Sequence, residues 1–280
     1  MDLQLGEKRA LITGSNSGIG AGIARVLAAE GAVVVIHGRN TQRCDAVAAA
    51  IRQAGGRALA VAGDIATEAD CTSIGDTVMA QLGGIDILVN NAGGRASSHR
   101  TDGQAGPANP RWLETTWRDW LWTFEQNVGA AYRLIQRFVP GMKERQWGRI
   151  INIASAAATQ TEPDLAEYQA VKAAMVNMTS SLARTLSHTG ITVNTVSPGT
   201  ILTPAVVSAF THIAQQMGWN STDWQEIERR FITELIPIAA DHFGQPEDIG
   251  RMVALLASPL SAYMTGANYR VDGGQCRSIN

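Results

Sequence analysis

The sequence has no excess of positive or negative charge. Its 280 residues hold 23 Lys and Arg against 25 Asp and Glu, which gives a formal net charge of −2. A protein that binds nucleic acid usually concentrates Lys and Arg on one face, and this sequence has no run of basic residues. We therefore expect no nucleic-acid partner.

Paired cysteines and long apolar runs are lacking as well. Cys44, Cys71 and Cys276 are odd in number and lack the spacing of metal ligands. We therefore expect free thiols in a reducing compartment, without a disulfide framework or a metal site. No apolar stretch approaches the roughly 18 residues of a membrane span, and the first residues lack the pattern of a signal peptide. These absences predict a soluble, cytoplasmic protein with no membrane partner.

What the sequence has instead is a regular alternation of short apolar runs and longer, Ala-rich helical patterns. The apolar runs are continuous, as in parallel strands that helices cover on both faces. The predicted strands cover 9–13, 33–36, 58–61, 85–89, 149–153, 191–196 and 268–271. Predicted helices between the first four strands cover 20–30, 41–53 and 68–81. This order predicts an α/β fold with a doubly wound parallel sheet.

Two segments break the alternation. Residues 95–110 are rich in Gly, Ser, Asn and Pro, which predicts an inserted loop. Residues 204–243 have a helical pattern without a preceding strand, so we expect 200–243 to form a cover over a site. Because no linker and no internal repeat divides the sequence, we expect a single domain that spans 1–280.

A glycine-rich segment, 13–20, connects the first predicted strand to the first predicted helix. Gly14, Gly18 and Gly20 allow a tight turn and a close approach of the main chain to a phosphate. The helix that follows presents free N–H groups and the positive end of its dipole. The spacing differs from the Gly-x-Gly-x-x-Gly fingerprint. The segment favours a dinucleotide site, with a purely structural turn as the alternative.

Tyr168 and Lys172 are four residues apart in a helical stretch, so both project from one face. A phenol has a pKa of about 10 and is a poor base near neutrality. A nearby ammonium favours the phenolate, which allows the tyrosine to exchange a proton with an alcohol or carbonyl oxygen. Such a pair alone is a weak indication, because it also arises by chance on solvated helix faces.

Further motifs accompany these two in a defined order. They are Asn-Asn-Ala-Gly at 90–93, Asn127, Ser155, Pro198 with Gly199, and Val-Asp-Gly-Gly at 271–274. Together with the glycine-rich segment and the Tyr168/Lys172 pair, they make the sequence closely resemble the short-chain dehydrogenase/reductase family over essentially its whole length. The resemblance implies a Rossmann-type domain of about seven parallel strands that also contains the substrate site.

The resemblance implies four catalytic residues. Ser155 would donate a hydrogen bond to the substrate oxygen, and Tyr168 would donate or accept its proton. Lys172 would bind the nicotinamide ribose and lower the pKa of the tyrosine, and Asn127 would support a water that relays protons. Physically this is a general acid/base assembly beside a hydride donor.

The end of the second strand favours NADP over NAD as the cofactor. NAD-type members carry an Asp where Gly38 stands here, and Arg39 follows it. An arginine suits a 2′-phosphate through charge-assisted hydrogen bonds. NAD remains the alternative. His37 is interpreted as a wall on the adenine side or a solvent-exposed residue.

The resemblance extends to the remaining cofactor contacts. The full set of predicted cofactor-binding residues is Gly14, Ser15, Asn16, Ser17, Gly18, Ile19, Gly20, Arg39, Asn40, Asp64, Ile65, Asn91, Ala92, Gly93, Tyr168, Lys172, Pro198, Ile201 and Thr203. Asn90 is interpreted either as part of this lining or as a structural link between adjacent strand ends.

The predicted reaction interconverts a ketone and a secondary alcohol. The long 95–110 and 200–243 segments and the tryptophans near them favour a bulky, apolar substrate, although both segments could instead form subunit contacts. One alternative is a 3-oxoacyl-[acyl-carrier-protein] reductase, for which Arg95, Arg100 and Arg111 could supply a basic docking surface. A second is a non-catalytic nucleotide-binding scaffold. By resemblance we expect a homo-oligomer, most often a tetramer, with 275–280 near a subunit contact.

Overall fold

Seven parallel strands form the sheet in the computed structural model, which describes residues 1–95 and 111–278. Their order is β3-β2-β1-β4-β5-β6-β7. The strands are β1 (Arg9–Ile12), β2 (Val33–Gly38), β3 (Arg57–Ala62), β4 (Ile87–Asn90), β5 (Gly148–Ile153), β6 (Ile191–Pro198) and β7 (Asn268–Val271). The predicted doubly wound sheet of seven strands is confirmed.

Helices lie on both faces of the sheet. They are α1 (Gly18–Ala29), α2 (Thr41–Gln53), α3 (Glu68–Leu82), α4 (Trp117–Phe124), α5 (Ala130–Glu144), α6 (Ala166–Thr185), α7 (Pro204–Gln216), α8 (Trp224–Glu234) and α9 (Pro246–Ala257). None of the helices in the described part of the chain is long and apolar enough to cross a membrane.

The alternation of side chains along β1 shows why both faces are covered. Ile12 packs into an apolar cluster with Leu27 of α1 and Val253 of α9. Leu11, one residue earlier, packs into a second cluster with Leu134 of α5. Because successive strand residues point to opposite faces, an entirely apolar strand needs an apolar partner on each side.

The strand boundaries differ from the predicted ones by at most two residues. β4 begins at Ile87 and not at Ile85, and the residue before it, Asp86, accepts hydrogen bonds from the Arg9 main chain (3.0 Å) and guanidinium (2.6 Å). β6 continues to Pro198, two residues past its predicted end.

The predicted cover is helical in two pieces, α7 and α8, and not throughout 204–243. Gly218 has a φ of +73°, which ends the first helix, and Asp223 caps the second by accepting a hydrogen bond from the Gln225 N–H (3.0 Å). The two helices share an apolar cluster of their own, in which Phe210 stacks on Phe231 at 4.3 Å between ring centroids. The predicted inserted loop lies outside the described residues, apart from Arg95.

Candidate active site

The sheet order changes direction between β1 and β4. β2 and β3 lie to one side of this pair, and β5, β6 and β7 lie to the other. In doubly wound sheets a cleft opens at this switch point, beyond the carboxyl ends of the strands. Most of the predicted site residues lie in the segments that follow β1, β2, β3, β4, β5 and β6, so the fold brings these segments to one edge. Asn127, Tyr168 and Lys172 lie on helical segments instead.

The glycine-rich turn after β1 has the form that a phosphate site requires. Gly14 has a φ of +64°, and a side chain there would begin 2.9 Å from the Ala92 Cα. α1 begins at Gly18, and among described atoms the Ser17 side chain makes no capping hydrogen bond to it. The first N–H groups of α1 are therefore available to an anion at the positive end of the helix.

His37 holds this turn from β2. Its ring Nδ1 accepts a hydrogen bond from the Gly14 N–H (3.2 Å), and its main-chain N–H donates a hydrogen bond to the Ser15 Oγ (2.9 Å). Burial lowers the pKa of His37 to about 4, so the ring is neutral and can accept at Nδ1 near neutral pH. His37 is buried and not solvent-exposed, and the Ser15 hydroxyl is used within the turn.

A cavity of about 340 Å³ lies beside this turn. Ten of the predicted cofactor contacts line it: Gly14, Asn16, Ser17, Arg39, Asn40, Asp64, Ile65, Asn91, Ala92 and Gly93. His37 also lines it. The fold thus places predicted residues from distant segments of the chain around one cavity.

The end of β2 carries positive charge and no carboxylate. A side chain at position 38 would overlap the Asn16 amide, so Gly38 leaves room for the side chain of Asn16. Arg39 and Arg43 both line the cavity, and Asn40 caps α2 by accepting a hydrogen bond from the Arg43 N–H (2.9 Å). Arg43 was not among the residues predicted to bind the cofactor, although it is only four residues after Arg39 and lies in the first turn of α2.

Ser155 and Tyr168 meet at the carboxyl end of β5. Ser155 follows the strand and accepts a hydrogen bond from the Ala157 N–H (3.2 Å), while Tyr168 lies in the first turn of α6. Burial raises the pKa of the Tyr168 phenol, and a hydrogen bond with Ser155 and the charge of Arg95 act in the opposite direction. The phenol is therefore protonated at neutral pH and can serve as an acid.

Lys172 lies one turn later on α6, with its Nζ 5.6 Å from the centre of the Tyr168 ring. The Nζ is buried and donates a hydrogen bond to the Ile153 carbonyl (2.9 Å). Burial lowers its pKa to about 7, which weakens its charge at neutral pH. In this structure the charge that lowers the tyrosine pKa is that of Arg95, so an effect of Lys172 on that pKa stays a prediction.

Asn127 lies in a π-helical turn, Glu125–Gly129, between α4 and α5. Its Nδ2 donates hydrogen bonds to the carbonyls of Thr123 (2.7 Å) and Gly94 (2.9 Å). Its Oδ1 is buried and has no partner within 1–95 and 111–278. A side chain at position 93 would overlap this oxygen. A buried acceptor without a donor suits a bound water or ligand, and π-helical turns often occur at functional sites.

Known proteins are similar to this chain over nearly its whole length. Residues 14–275 match the model of a family described as enoyl-(acyl carrier protein) reductase. An uncharacterized oxidoreductase of Bacillus subtilis (strain 168) is 36% identical over 282 residues, which cover all of both chains. This chain belongs to the short-chain dehydrogenase/reductase family. It is an oxidoreductase, as the resemblance implied.

Solved structures of this family superimpose closely on the chain. The L-sorbose reductase of Gluconobacter frateurii, complexed with NADPH and L-sorbose, has a TM-score of 0.89, with 34% identity and full coverage of both chains. A 7α-hydroxysteroid dehydrogenase, complexed with NADH and 7-oxoglycochenodeoxycholic acid, has a TM-score of 0.82 and 32% identity, covering 100% of this chain and 98% of that one. Their ligands differ widely, from a sugar to a bile acid.

The segment between β6 and α7 contains Ile201 and Thr203, two of the predicted cofactor contacts, and leads into the cover. The Ile201 side chain is buried and packs against Gly244. Thr203 caps α7 by accepting a hydrogen bond from the Val206 N–H (3.3 Å). The Thr203 methyl lies 3.3 Å from where a side chain at Gly18 would begin, so the start of the cover rests on the glycine-rich turn.

The tryptophans have different surroundings in this oxidoreductase. Trp112 and Trp120 pack edge to face at 5.7 Å and line a cavity of about 580 Å³ beside α6. Trp219 and Trp224 belong to the cover's own apolar cluster, as a packing role predicts. Asn90 links strand ends by donating a hydrogen bond to the Asn152 Oδ1 (2.8 Å), which confirms its structural interpretation.

Proposed function

We propose that this enzyme interconverts a ketone and a secondary alcohol by hydride transfer with NADP(H), and that Tyr168 is the general acid and base. The observation that carries the proposal is the meeting of Ser155 with Tyr168 and the buried Lys172 at the carboxyl end of β5, beside the switch point of the sheet. A binding scaffold has no use for such a set of proton-transfer groups, which disfavours the scaffold alternative.

The proton chemistry follows from these side chains. In reduction the carbonyl carbon gains a hydride, which NADPH supplies when bound, and the carbonyl oxygen gains the Tyr168 proton. The Ser155 hydroxyl donates a hydrogen bond to that oxygen and holds it beside the phenol. Oxidation reverses both transfers. Because burial keeps the phenol protonated, Tyr168 is near neutral pH in the form that reduction requires.

Lys172 and Asn127 complete the assembly. The Lys172 Nζ would bind the ribose hydroxyls, and an anion nearby would restore its charge, which burial weakens. The unpartnered Asn127 Oδ1 would accept a hydrogen bond from a water. That water and Lys172 would return a proton to Tyr168 after each turnover. The remaining cofactor contacts follow the resemblance, with a main-chain rather than a side-chain contact at Ser15.

The preference for NADP(H) is supported by the charge at the end of β2. Arg39 and Arg43 line the cavity there, where an NAD-type enzyme would hold a carboxylate for the ribose hydroxyls. A guanidinium pair suits the two negative charges of a 2′-phosphate. The sorbose reductase was solved with NADPH and the hydroxysteroid dehydrogenase with NADH, so the choice depends on each chain's own residues.

For the substrate we propose a bulky, largely apolar ketone or secondary alcohol. The cavity beside Trp112 and Trp120 and the separately packed cover support this proposal. Arg95 and Arg111 would serve the 3-oxoacyl carrier-protein alternative, whereas Arg100 lies outside the described residues. We further propose that one domain, 1–280, binds cofactor and substrate, and that the enzyme is a cytoplasmic homo-oligomer.

A panel of carbonyl compounds tests the proposed function. NADPH oxidation would be followed with L-sorbose, acetone, an aryl ketone, an oxosteroid and an acetoacetyl thioester, using Tyr168→Phe as the control for background oxidation. The proposal predicts that kcat/KM for the aryl ketone and oxosteroid exceeds that for acetone. Equal values would contradict the apolar substrate, and a preference for the thioester would favour the alternative. No ketone-dependent oxidation of NADPH or NADH would overturn the function.

A further inference from the structure

The carboxyl-terminal segment, 272–278, connects two loops of the site. Gln275 contacts the loop after β6, where its side-chain Oε1 accepts hydrogen bonds from both the Thr200 N–H (2.8 Å) and the Thr200 hydroxyl (3.0 Å). These bonds join residues 75 positions apart in the chain. A single oxygen thus satisfies both donors of Thr200, whose carbonyl accepts a hydrogen bond from the Gly244 N–H (3.0 Å).

The next two residues contact the loop that carries Ser155. The Cys276 thiol donates to the Ala156 carbonyl (3.4 Å), and the Arg277 N–H donates to the Gln160 side chain (2.8 Å). The carboxylate of Asp272 accepts a hydrogen bond from the Cys276 N–H (3.0 Å) and so fixes the turn between the two contacts. The segment therefore spans from the Thr200 loop to the Ser155 loop.

The packing at Gly199 shows how closely Gln275 approaches the first loop. A side chain at position 199 would begin 2.9 Å from the Gln275 Oε1 and 2.7 Å from the Asp272 Cα. The Gly199 N–H also donates to the Val271 carbonyl (3.0 Å). The main chain at 199–200 is thus held from one side by the carboxyl-terminal segment.

We propose that Gln275 is a positioning residue that sets where the Pro198–Thr203 loop holds the nicotinamide end of the cofactor. The inference rests on the proposed function, in which Pro198, Ile201 and Thr203 of this loop are cofactor contacts; the family resemblance implies that the loop holds the carboxamide of the nicotinamide. Hydride transfer needs the two reacting carbons at near-contact distance, and small misplacements are costly. By joining the Thr200 loop to the Ser155 loop, the segment fixes the distance between the hydride donor and the substrate oxygen.

Two substitutions at position 275 distinguish the effect of the accepting oxygen from the effect of the size of the side chain. Gln275→Met keeps the length of the side chain and removes the strong acceptor, whereas Gln275→Glu keeps an oxygen that can accept both bonds. Loss of a hydrogen bond typically weakens an equilibrium by about 2- to 12-fold. We expect Gln275→Met to weaken NADPH binding by this factor and Gln275→Glu to bind NADPH as the unaltered protein does.

The measurement compares two ligands by fluorescence titration. Adenosine 2′,5′-bisphosphate contains the adenosine end of NADPH and lacks the nicotinamide, so its affinity should be equal in all three proteins. A general loss of structure would weaken both ligands, and that result would overturn the inference, as would unchanged NADPH binding in Gln275→Met. Thr200→Val, which removes one of the two donors, should give a smaller loss in the same direction.

Amide hydrogen exchange without ligand gives an independent readout. Exchange at Thr200 should accelerate in Gln275→Met and stay slow in Gln275→Glu; equal exchange in both variants would contradict the inference. If no ketone supported oxidation of NADPH or NADH by the unaltered protein, the proposed function would fail while this exchange result could still hold. If Tyr168→Phe abolished turnover while Gln275→Met changed neither binding nor exchange, only the positioning role would be lost.

Discussion

At the scale of single residues, Arg39 decides the choice of cofactor in the proposed function. A hydrogen bond to a charged group is worth about 1.5–3 kcal/mol, or roughly 10–150-fold in affinity. We expect Arg39→Ala to weaken NADPH binding on this scale and to leave NADH binding nearly unchanged, because NADH lacks the 2′-phosphate. Titration of both cofactors against both proteins measures this, and equal affinities of the unaltered protein would contradict the preference.

Lys172 links the site to stability. Its pKa is about 7 in the folded protein, below the value of about 10.4 for an exposed lysine. The unfolded chain therefore binds more protons between these values, so the free energy of unfolding should fall as the pH decreases from about 10 to about 7. One pKa unit corresponds to about 1.4 kcal/mol, so the total should be on the order of 4 kcal/mol.

Chemical denaturation at both pH values tests this dependence. Lys172→Met should lose it, whereas Lys143→Met, which removes an exposed lysine of α5, should keep it. Titrations of other groups are common to the three proteins and cancel in the comparison. The same pH dependence in Lys172→Met and the unaltered protein would show that Lys172 is not destabilised by burial.

The residues predicted from the sequence are those in local motifs. Tyr168 and Lys172 share a helix face, and the glycines and Ser155 directly follow strands, so spacing alone places them near one edge. His37 and Gln275 could not be assigned this way, because their partners, Gly14 and Thr200, are distant in sequence. The low pKa of Lys172 also depends on burial that only the folded chain creates.

At the scale of elements, the cover is held mainly by its own core. Phe231 is 2% exposed and stacks on Phe210, and Trp219 packs against its edge at 5.0 Å. We expect Phe231→Ala to cost about 3–5 kcal/mol of local stability. The KM for a ketone should rise because the cover disorders, while NADPH affinity should change less, because Thr203, at the start of the cover, touches the glycine-rich turn and lies outside the apolar cluster of Phe231.

Kinetic titration of ketone and NADPH measures both effects. Phe231→Leu keeps most of the buried volume and should behave almost as the unaltered protein. A parallel loss of ketone and cofactor binding in Phe231→Ala would contradict the independence of the cover. The helical periodicity of this segment could be predicted, but its break could not, since it depends on Gly218 adopting a positive φ and on the cap at Asp223.

At the scale of the whole molecule, the parallel, doubly wound architecture follows from the sequence pattern, because alternating strands and helices favour such a sheet. The register between strands does not follow, since it depends on side-chain packing across two faces. α4 leaves apolar side chains exposed: Trp117 is 72%, Leu121 48% and Phe124 45% exposed. Such a surface is typical of a subunit contact.

We expect the enzyme to be a homo-oligomer, with a tetramer as the expected size. Light scattering at micromolar concentration should give a mass that is a multiple of the chain's 29.8 kDa. Phe124→Glu should reduce that mass if α4 lies in a contact, because it places a charge in an apolar interface. A monomeric mass for the unaltered protein would refute the assembly.

The most direct test of the central claim is the turnover of Tyr168→Phe. The substitution keeps the ring and removes only the hydroxyl that would carry the proton. General acid–base groups contribute about 10²–10⁴-fold, so kcat should fall by that factor while NADPH affinity and the unfolding temperature stay near their original values. Near-native turnover of the Phe variant, under conditions in which the chemical step limits the rate, would contradict the assignment of Tyr168.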